Sequence, residues 1–89
     1  MDDPVYVRDS STLWRGVIGG VLILPPGSHE SWFVTAPGDV IWDLLVEPRT
    51  INQLVDALSI AFDEHPSIVL TDIEPVVRTL YDIGAVRTC

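Results

Sequence analysis

Two short apolar runs in the first third of the chain predict a β-hairpin. Residues 13–18 and residues 21–24 are separated by Gly19 and Gly20, and paired glycines supply the positive φ angles of tight hairpin turns. The aromatic and β-branched segment of residues 31–35 predicts a third strand. Because consecutive strands usually pair with one another, this third strand is expected at one edge of an antiparallel sheet.

Two helical patterns follow the third strand. Pro37 and Asp39 are typical of the first turn of a helix, and an apolar stripe follows them. Thr50 and Gln53 have the spacing of a capping box, so a second helix is predicted to begin there. Apolar residues then recur at helical intervals as far as Phe62. Two short helices joined by a tight turn indicate a helix-turn-helix-like pair.

A third helix is predicted from Pro66 to about Asp82. Proline is favoured at the start of a helix, and Gly84 is well placed for a left-handed C-cap. Pro75 lies in the interior of this helix and predicts a kink, with a break into two shorter helices as the alternative. Together the patterns predict an α+β fold of the winged helix-turn-helix class, in which a three-stranded antiparallel sheet is followed by three helices.

Length and composition indicate one small domain. A chain of 89 residues is too short for two hydrophobic cores, and an apolar content of 47% excludes the composition of a disordered chain. We expect residues 1–10 to form a flexible N-terminal segment and residues 11–87 to form the domain. No apolar run is long enough to span a membrane and the acidic start does not resemble an export signal, so a cytoplasmic location is expected.

The charge of the chain argues against nucleic acid as a partner. Thirteen Asp and Glu residues oppose five Lys and Arg residues, and the net charge of −8 would repel phosphate groups. The predicted second helix, residues 51–63, contains no basic side chain. A winged-helix regulator needs a basic recognition helix, so DNA binding is the less favoured alternative.

The reactive side chains do not form a recognisable catalytic or metal-binding set. His29 lies in a loop segment, His65 begins a helix and Cys89 is the last residue, so their spacing does not suit metal coordination. Catalysis needs a nucleophile beside a base or two carboxylates in one pocket, and no such set stands out. The sequence therefore predicts a protein that is not an enzyme and has no cofactor.

Three segments of the chain resemble a known family. They are Ile-Trp-Asp-Leu-Leu at residues 41–45, Glu-Pro-Arg-Thr-Ile-Asn-Gln-Leu at residues 47–54, and Gly-Ala-Val at residues 84–86. Over residues 11–87 the chain resembles the PqqD-like peptide chaperones, the recognition elements of ribosomally synthesised and post-translationally modified peptides (RiPPs). The Pro-Arg-Thr turn at residues 48–50 makes it most similar to the discrete leader-binding proteins of lasso-peptide biosynthesis.

The resemblance implies a binding function. The leader of a precursor peptide would lie antiparallel to the third strand, in a groove beside the third helix, and would be presented to a leader-cleaving protease and an ATP-dependent cyclase. The peptide-binding residues that it implies are Ser31, Trp32, Phe33, Val34, Thr35, Val69, Asp72, Ile73, Val76, Val77 and Leu80. A non-enzymatic adaptor subunit that binds a folded enzyme is the alternative, and it predicts no affinity for an isolated leader.

Physical arguments support strand addition at this edge. An unpaired edge strand offers N–H and C=O groups to an extended peptide, and side-chain pockets then provide specificity. Natural edge strands are usually protected by lysine, proline or an inward charge, and residues 31–35 contain none of these. Asp72 and Glu74 are expected at the rim, where they would meet a basic residue of the guest. Val34→Pro should weaken capture unless the Val34 N–H is bonded to the second strand.

Overall fold

Within residues 3–89, which a computed structural model describes, the chain forms six strands and three helices. The strands are β1 (Val5–Arg8), β2 (Leu13–Val17), β3 (Gly20–Leu24), β4 (Trp32–Val34), β5 (Arg49–Thr50) and β6 (Val86–Thr88). The helices are α1 (Gly38–Leu44), α2 (Ile51–Phe62) and α3 (Pro66–Asp82). Two antiparallel sheets have the strand orders β2-β3-β4 and β5-β1-β6, and the predicted α+β class is confirmed.

The β2-β3-β4 sheet is the predicted one, but its hairpin turn is displaced by one residue. Val17 pairs with Gly20, so the turn consists of Ile18 and Gly19 instead of the two glycines. Gly19 has a φ of 85°, a conformation that glycine adopts without steric cost. Gly20 is the first residue of β3.

Gly20 is needed because β4 approaches it closely. A Cβ atom at position 20 would collide with the carbonyl oxygen of Val34, whereas a Cβ atom at Gly16 of β2 would meet nothing within 4 Å. A glycine inside a strand often marks such a close approach of a neighbouring backbone. The two glycines of the hairpin therefore serve different purposes, one in the turn and one in strand pairing.

We expect Gly20→Ala to lower the free energy of unfolding by about 1–3 kcal/mol, because the added methyl group forces β3 and β4 apart. Gly16→Ala is the matched control and should leave stability unchanged or raise it by up to about 1 kcal/mol, since alanine restricts the unfolded chain. Urea denaturation of both variants measures the difference. Equal stability of the two variants would show that the β3–β4 pair accommodates a methyl group at position 20.

The β5-β1-β6 sheet is a feature that the sequence patterns did not predict. Its central strand is Val5–Arg8, which pairs with Arg49–Thr50 on one side and with Val86–Thr88 on the other. Residues 5–8 therefore belong to the folded domain, in place of the flexible segment expected for residues 1–10. Residues 1 and 2 of that segment lie outside the described residues.

Arg8 attaches the second sheet to α1 and β2. Its guanidinium carbon lies 4.7 Å from the ring centroids of both Trp14 and Trp42, and these two rings meet edge to face at 6.2 Å. Its Nε donates to the Trp42 carbonyl oxygen at 2.7 Å, and its backbone N–H donates to the Leu45 carbonyl oxygen at 3.0 Å. The pKa of Arg8 is lowered, because the effect of burial is larger than the opposing effect of the nearby Asp43 carboxylate. Because Trp42 is fully buried, these contacts hold β1 against the core.

The helices begin and end close to the predicted positions. The Thr50 hydroxyl accepts from the Gln53 backbone N–H at 3.2 Å, and the Gln53 side chain accepts from the Thr50 N–H at 2.9 Å, so the capping box is confirmed. Helix α3 is continuous through Pro75, which excludes the alternative of two shorter helices. Gly84 follows it with a φ of 85°, as a left-handed C-cap requires.

The Pro-Arg-Thr segment of residues 48–50 fixes the connection between α1 and α2. The Nε of Arg49 donates to the carbonyl oxygen of Leu44, the last residue of α1, at 2.8 Å. Arg49 and Thr50 also form β5, and Thr50 caps α2. These contacts give the segment a structural role, because they satisfy polar groups at the ends of both helices.

The core lies where β3, the three helices and the start of β6 meet. Its buried hydrophobic residues are Val21, Ile23, Ile41, Trp42, Leu45, Leu54, Val55, Leu58, Val69, Ile73, Val77, Leu80, Ala85 and Val86. Alternate residues of β3 face this core, as expected for a sheet that is covered on one side. In the part of the chain that the structure describes, no helix has the length and apolar character needed to cross a membrane.

Candidate functional site

Strand β4 forms an open edge of the first sheet. Its residues, Trp32–Val34, pair with residues 21–23 of β3, and no strand of the described chain pairs with its other side. Trp32 and Val34 lie on the core face of the sheet, whereas Phe33 projects from the opposite face and is 56% exposed. Such an edge offers main-chain donors and acceptors to an additional strand.

Phe33 is the β4 residue whose backbone groups face the open edge. The carbonyl oxygen of Val34 contacts Gly20 of β3, so the peptide groups of Val34 point inward. In an antiparallel pair, the residues whose N–H and C=O both face the partner alternate with residues whose groups both face away. The N–H and C=O of Phe33 therefore point outward. A proline at position 33, rather than at position 34, would therefore remove a donor from the open edge.

A groove lies between β4 and α3. Its lining residues are Trp32 and Val34 on the strand side, with Pro75, Val76, Thr79, Leu80 and Ile83 on the helix side. Thr79 supplies a hydroxyl, and the other lining side chains are apolar or aromatic. The cavity volume of about 220 Å³ is below the range of about 300–1,000 Å³ that is typical of small-molecule sites. The groove therefore suits one or two apolar side chains of an extended guest.

Four of the eleven predicted binding residues line this groove. They are Trp32, Val34, Val76 and Leu80. On β4 and its flanks, Ser31 borders a separate depression beside β2 and β3, and Phe33 lies on the outer face. Thr35 ends the edge, because its carbonyl oxygen accepts from the backbone N–H of Gly38, the first residue of α1, at 2.7 Å.

The remaining predicted residues lie elsewhere on α3. Val69, Ile73 and Val77 are almost completely buried and belong to the core. Asp72 is exposed and lies one helical turn before the groove. The apolar stripe of α3 thus mainly marks the side that faces the core, and only its margin reaches the groove.

Three groove residues were missing from the sequence prediction, namely Pro75, Thr79 and Ile83. They recur at i, i+4 and i+8, so they form a second stripe beside the core stripe. The spacing is a signal that the sequence contains. A proline and a threonine do not contribute to hydrophobic periodicity, however, so the pattern of apolar positions does not indicate them.

A second, separate cavity lies beyond the end of β4, and we call it the distal cavity. It has a volume of about 240 Å³. Its lining residues are Ala36, Pro37, Leu58, Phe62, Glu64, Val69, Asp72 and Ile73. Residues 75–83 of the chain lie beside β4, and residues 69–73 lie beside Ala36 and Pro37. Strand β4 and the residues after it therefore run antiparallel to this part of the chain, with the two cavities end to end.

Another cavity lies on the opposite flank of α3. It has a volume of about 510 Å³. Its lining residues are Tyr6, Ile51, Glu74, Pro75, Val77, Arg78, Tyr81 and Asp82. Strand β1, which contributes Tyr6, is paired on both sides, so this cavity lacks an open edge strand. The groove beside β4 is therefore the better candidate for binding an extended chain.

No group of three or more His, Cys, Asp and Glu side chains within residues 3–89 is placed to hold a metal ion. The distal cavity is instead lined by two carboxylates, those of Glu64 and Asp72. Both residues are exposed. Any electrostatic contribution of this region to binding would therefore favour a cationic guest.

The model of the family described as Coenzyme PQQ synthesis protein D (PqqD) matches residues 20–86 of the chain. The chain belongs to the PqqD family. The match includes β3, β4 and all three helices, so both walls of the groove lie within the PqqD domain. It also confirms the family resemblance of the sequence. Among curated proteins, no match to this chain is found.

Among solved structures, this PqqD-family chain is similar to the solution NMR structure of the PqqD truncation of Methylobacterium extorquens PqqCD. That protein is described as a functional and stand-alone RiPP recognition element. The TM-score is 0.76 at 18% sequence identity, over 93% of this chain and 88% of that chain. At this identity the comparison shows that the two proteins share a fold.

Proposed function

We propose that the chain recognises the leader of a ribosomally synthesised precursor peptide by adding it as a strand to β4. The observation that carries the proposal is the open edge of β4 beside an apolar groove, within a domain of the PqqD family. The similar PqqD truncation from Methylobacterium extorquens, which is a RiPP recognition element, supports the same function. The chain acts in this proposal as a binding component and not as an enzyme.

In this proposal, recognition combines main-chain pairing with side-chain contacts. The outward N–H and C=O of Phe33 pair with the guest main chain, and this pairing depends little on guest sequence. Alternate guest side chains point toward the sheet face on which Trp32 and Val34 lie, and they enter the groove beside Val76 and Ile83. Burial of one large apolar side chain contributes about 1.5–3 kcal/mol, so the apolar anchors determine which peptides bind tightly.

We further propose that the precursor is of the lasso type and that the bound leader is presented to a leader-cleaving protease and an ATP-dependent cyclase. The similarity of the Pro-Arg-Thr turn at residues 48–50 supports this assignment.

A DNA-binding role is disfavoured because α2 contains no Lys or Arg to contact phosphates. The alternative of an adaptor that binds only folded enzymes does not explain an open edge strand beside an apolar groove.

The test is a selection of peptides from a display library of random 15-residue sequences, with the wild-type domain as bait. We call the most enriched sequence, synthesised without its display scaffold, the selected peptide. Trp32 is 41% exposed at the groove, so binding should shift tryptophan emission. We expect to recover peptides that share a bulky apolar residue and bind at micromolar concentration. A domain that enriches no sequence after several rounds would instead behave as the adaptor alternative predicts.

Thr79→Trp is expected to fill the groove and weaken the selected peptide by at least about tenfold, since it replaces the buried contacts of an anchor side chain. Thr79 is exposed, so the larger side chain should not disturb the core. Thr71→Trp is the matched control, because Thr71 is an exposed threonine of the same helix that does not line the groove. Fluorescence titration of both variants measures the affinities. Unchanged binding by Thr79→Trp would place the peptide outside the groove.

A further inference from the structure

We infer that the peptide recognised by this chain carries a lysine or arginine on the N-terminal side of its strand-forming residues, held in the distal cavity between Glu64 and Asp72. The inference rests on the proposed function and specifies its guest. The side-chain anchor in the groove would then be one of two determinants, and the cation in the distal cavity would be the other.

The distal cavity has the shape and chemistry for a long cationic side chain. Its lining includes the apolar side chains of Leu58, Phe62 and Val69, and its charged groups are two carboxylates. Lysine and arginine place their methylene stems along apolar surface while their charged heads stay in water. Apolar lining side chains beside two exposed carboxylates therefore match both parts of such a side chain, whereas an acidic guest residue would be repelled.

The two carboxylates are available to a guest. The ion pairs of the described chain join Arg8 to Asp43 and Arg49 to Glu47, and neither Glu64 nor Asp72 takes part in one. The net charge of −8 adds a long-range attraction for a cationic peptide. Charge and cavity thus select the same class of side chain.

The order of the cavities fixes where the cation lies in the guest. An antiparallel guest runs opposite to β4, and β4 leads toward Pro37 and the distal cavity, so the guest reaches that cavity with residues that precede its paired segment. Main-chain pairing cannot continue at Pro37, because proline has no N–H. One helical turn of about 5–6 Å separates Val76 in the groove from Asp72, which equals about two residues of extended chain. The cation is therefore expected about two to four residues before the groove anchor.

The experiment repeats the peptide selection with Glu64→Gln/Asp72→Asn as bait. Peptides selected by the wild-type domain should be enriched in Lys or Arg two to four positions before the apolar anchor, and this enrichment should disappear with the double variant. Glu74→Gln/Asp82→Asn is the control, because it changes the charge of the chain equally at residues that line the cavity on the other flank of α3. It should preserve the enrichment.

A second measurement replaces the enriched cation of the selected peptide by glutamine. Affinity for the wild-type domain should fall by about three- to tenfold, as expected for one or two partly exposed ion pairs, and affinity for Glu64→Gln/Asp72→Asn should not fall further. The loss should also decrease at high salt, because exposed charges are screened. Circular dichroism of the double variant verifies that its fold is retained.

The outcomes separate the inference from the proposed function. Anchored peptides that are sensitive to Thr79→Trp but show no cationic preference would overturn the inference and leave the proposed function standing. A cation enriched only after the anchor would overturn the antiparallel placement on which the inference depends. Peptides that are insensitive to Thr79→Trp would overturn both.

Discussion

Replacing Phe33 by proline is expected to weaken binding of the selected peptide by at least about fivefold while the fold is retained, because a lost hydrogen bond that leaves its partner unsatisfied costs about 1–3 kcal/mol. The Phe33 N–H points to the open edge, so proline removes the donor that a guest strand needs. Proline is tolerated on an edge strand when its nitrogen faces solvent, and the β3–β4 ladder keeps its hydrogen bonds. Titration with the selected peptide and circular dichroism measure the two effects separately.

Phe33→Ala is the matched control for this variant. The Phe33 side chain lies on the sheet face opposite to the groove, so its removal should change peptide affinity little. Val34→Pro should behave differently from both, because it removes a group that faces β3 and destabilises the sheet itself. If Phe33→Pro and Phe33→Ala bind the selected peptide equally well, strand addition at β4 is wrong.

Deletion of residues 1–8 is expected to lower the free energy of unfolding by at least about 3 kcal/mol, since the half-buried side chains of β1 contribute roughly 1 kcal/mol each. The deletion also removes the ladders of β1 with β5 and β6, and the cation–π contacts of Arg8 with Trp14 and Trp42. For a domain of this size the loss corresponds to a fall in Tm of about 12–24 °C. Differential scanning calorimetry gives the Tm directly.

Removal of residues 1–4 is the control for the deletion, because it leaves β1 complete. Its Tm should stay within a few degrees of that of the full chain, since the ladders of β1 with β5 and β6 are retained. A flexible segment over residues 1–10 predicts equal Tm values for the two truncations. That result would contradict the role of β1 as the central strand of a sheet.

The sequence was informative where structure is determined by local contacts. The capping box of Thr50 and Gln53 and the left-handed Gly84 involve residues within one or two turns of one another, so their spacing alone predicts them. The pairing of β1 with β6 joins residues about eighty positions apart, and neither strand specifies its partner. The hairpin turn was misplaced by one residue because a glycine needed for positive φ and a glycine needed for close packing look identical in sequence.

The groove was predicted less completely than the fold. Position 73 and position 76 both belong to the apolar stripe of α3, but the helix turns Ile73 into the core and leaves Val76 at the groove margin. A rotation of the helix by one position exchanges these roles, and hydrophobic periodicity does not resolve a difference of that size. The orientation of α3 about its own axis places Pro75 and Thr79 at the groove, although neither residue belongs to an apolar pattern.

Strands β1 and β6 lie side by side, and the Cys89 N–H donates to the Val5 carbonyl oxygen at 2.9 Å. The first and last strands of the described chain therefore end beside each other, and neither belongs to the sheet that contains β4. A domain whose ends are adjacent can be inserted into a surface loop of a larger protein, because both junctions then lie at the same place. The same feature permits circular permutation. A short linker would join the original termini, and the new termini would lie at the exposed Ile18-Gly19 turn.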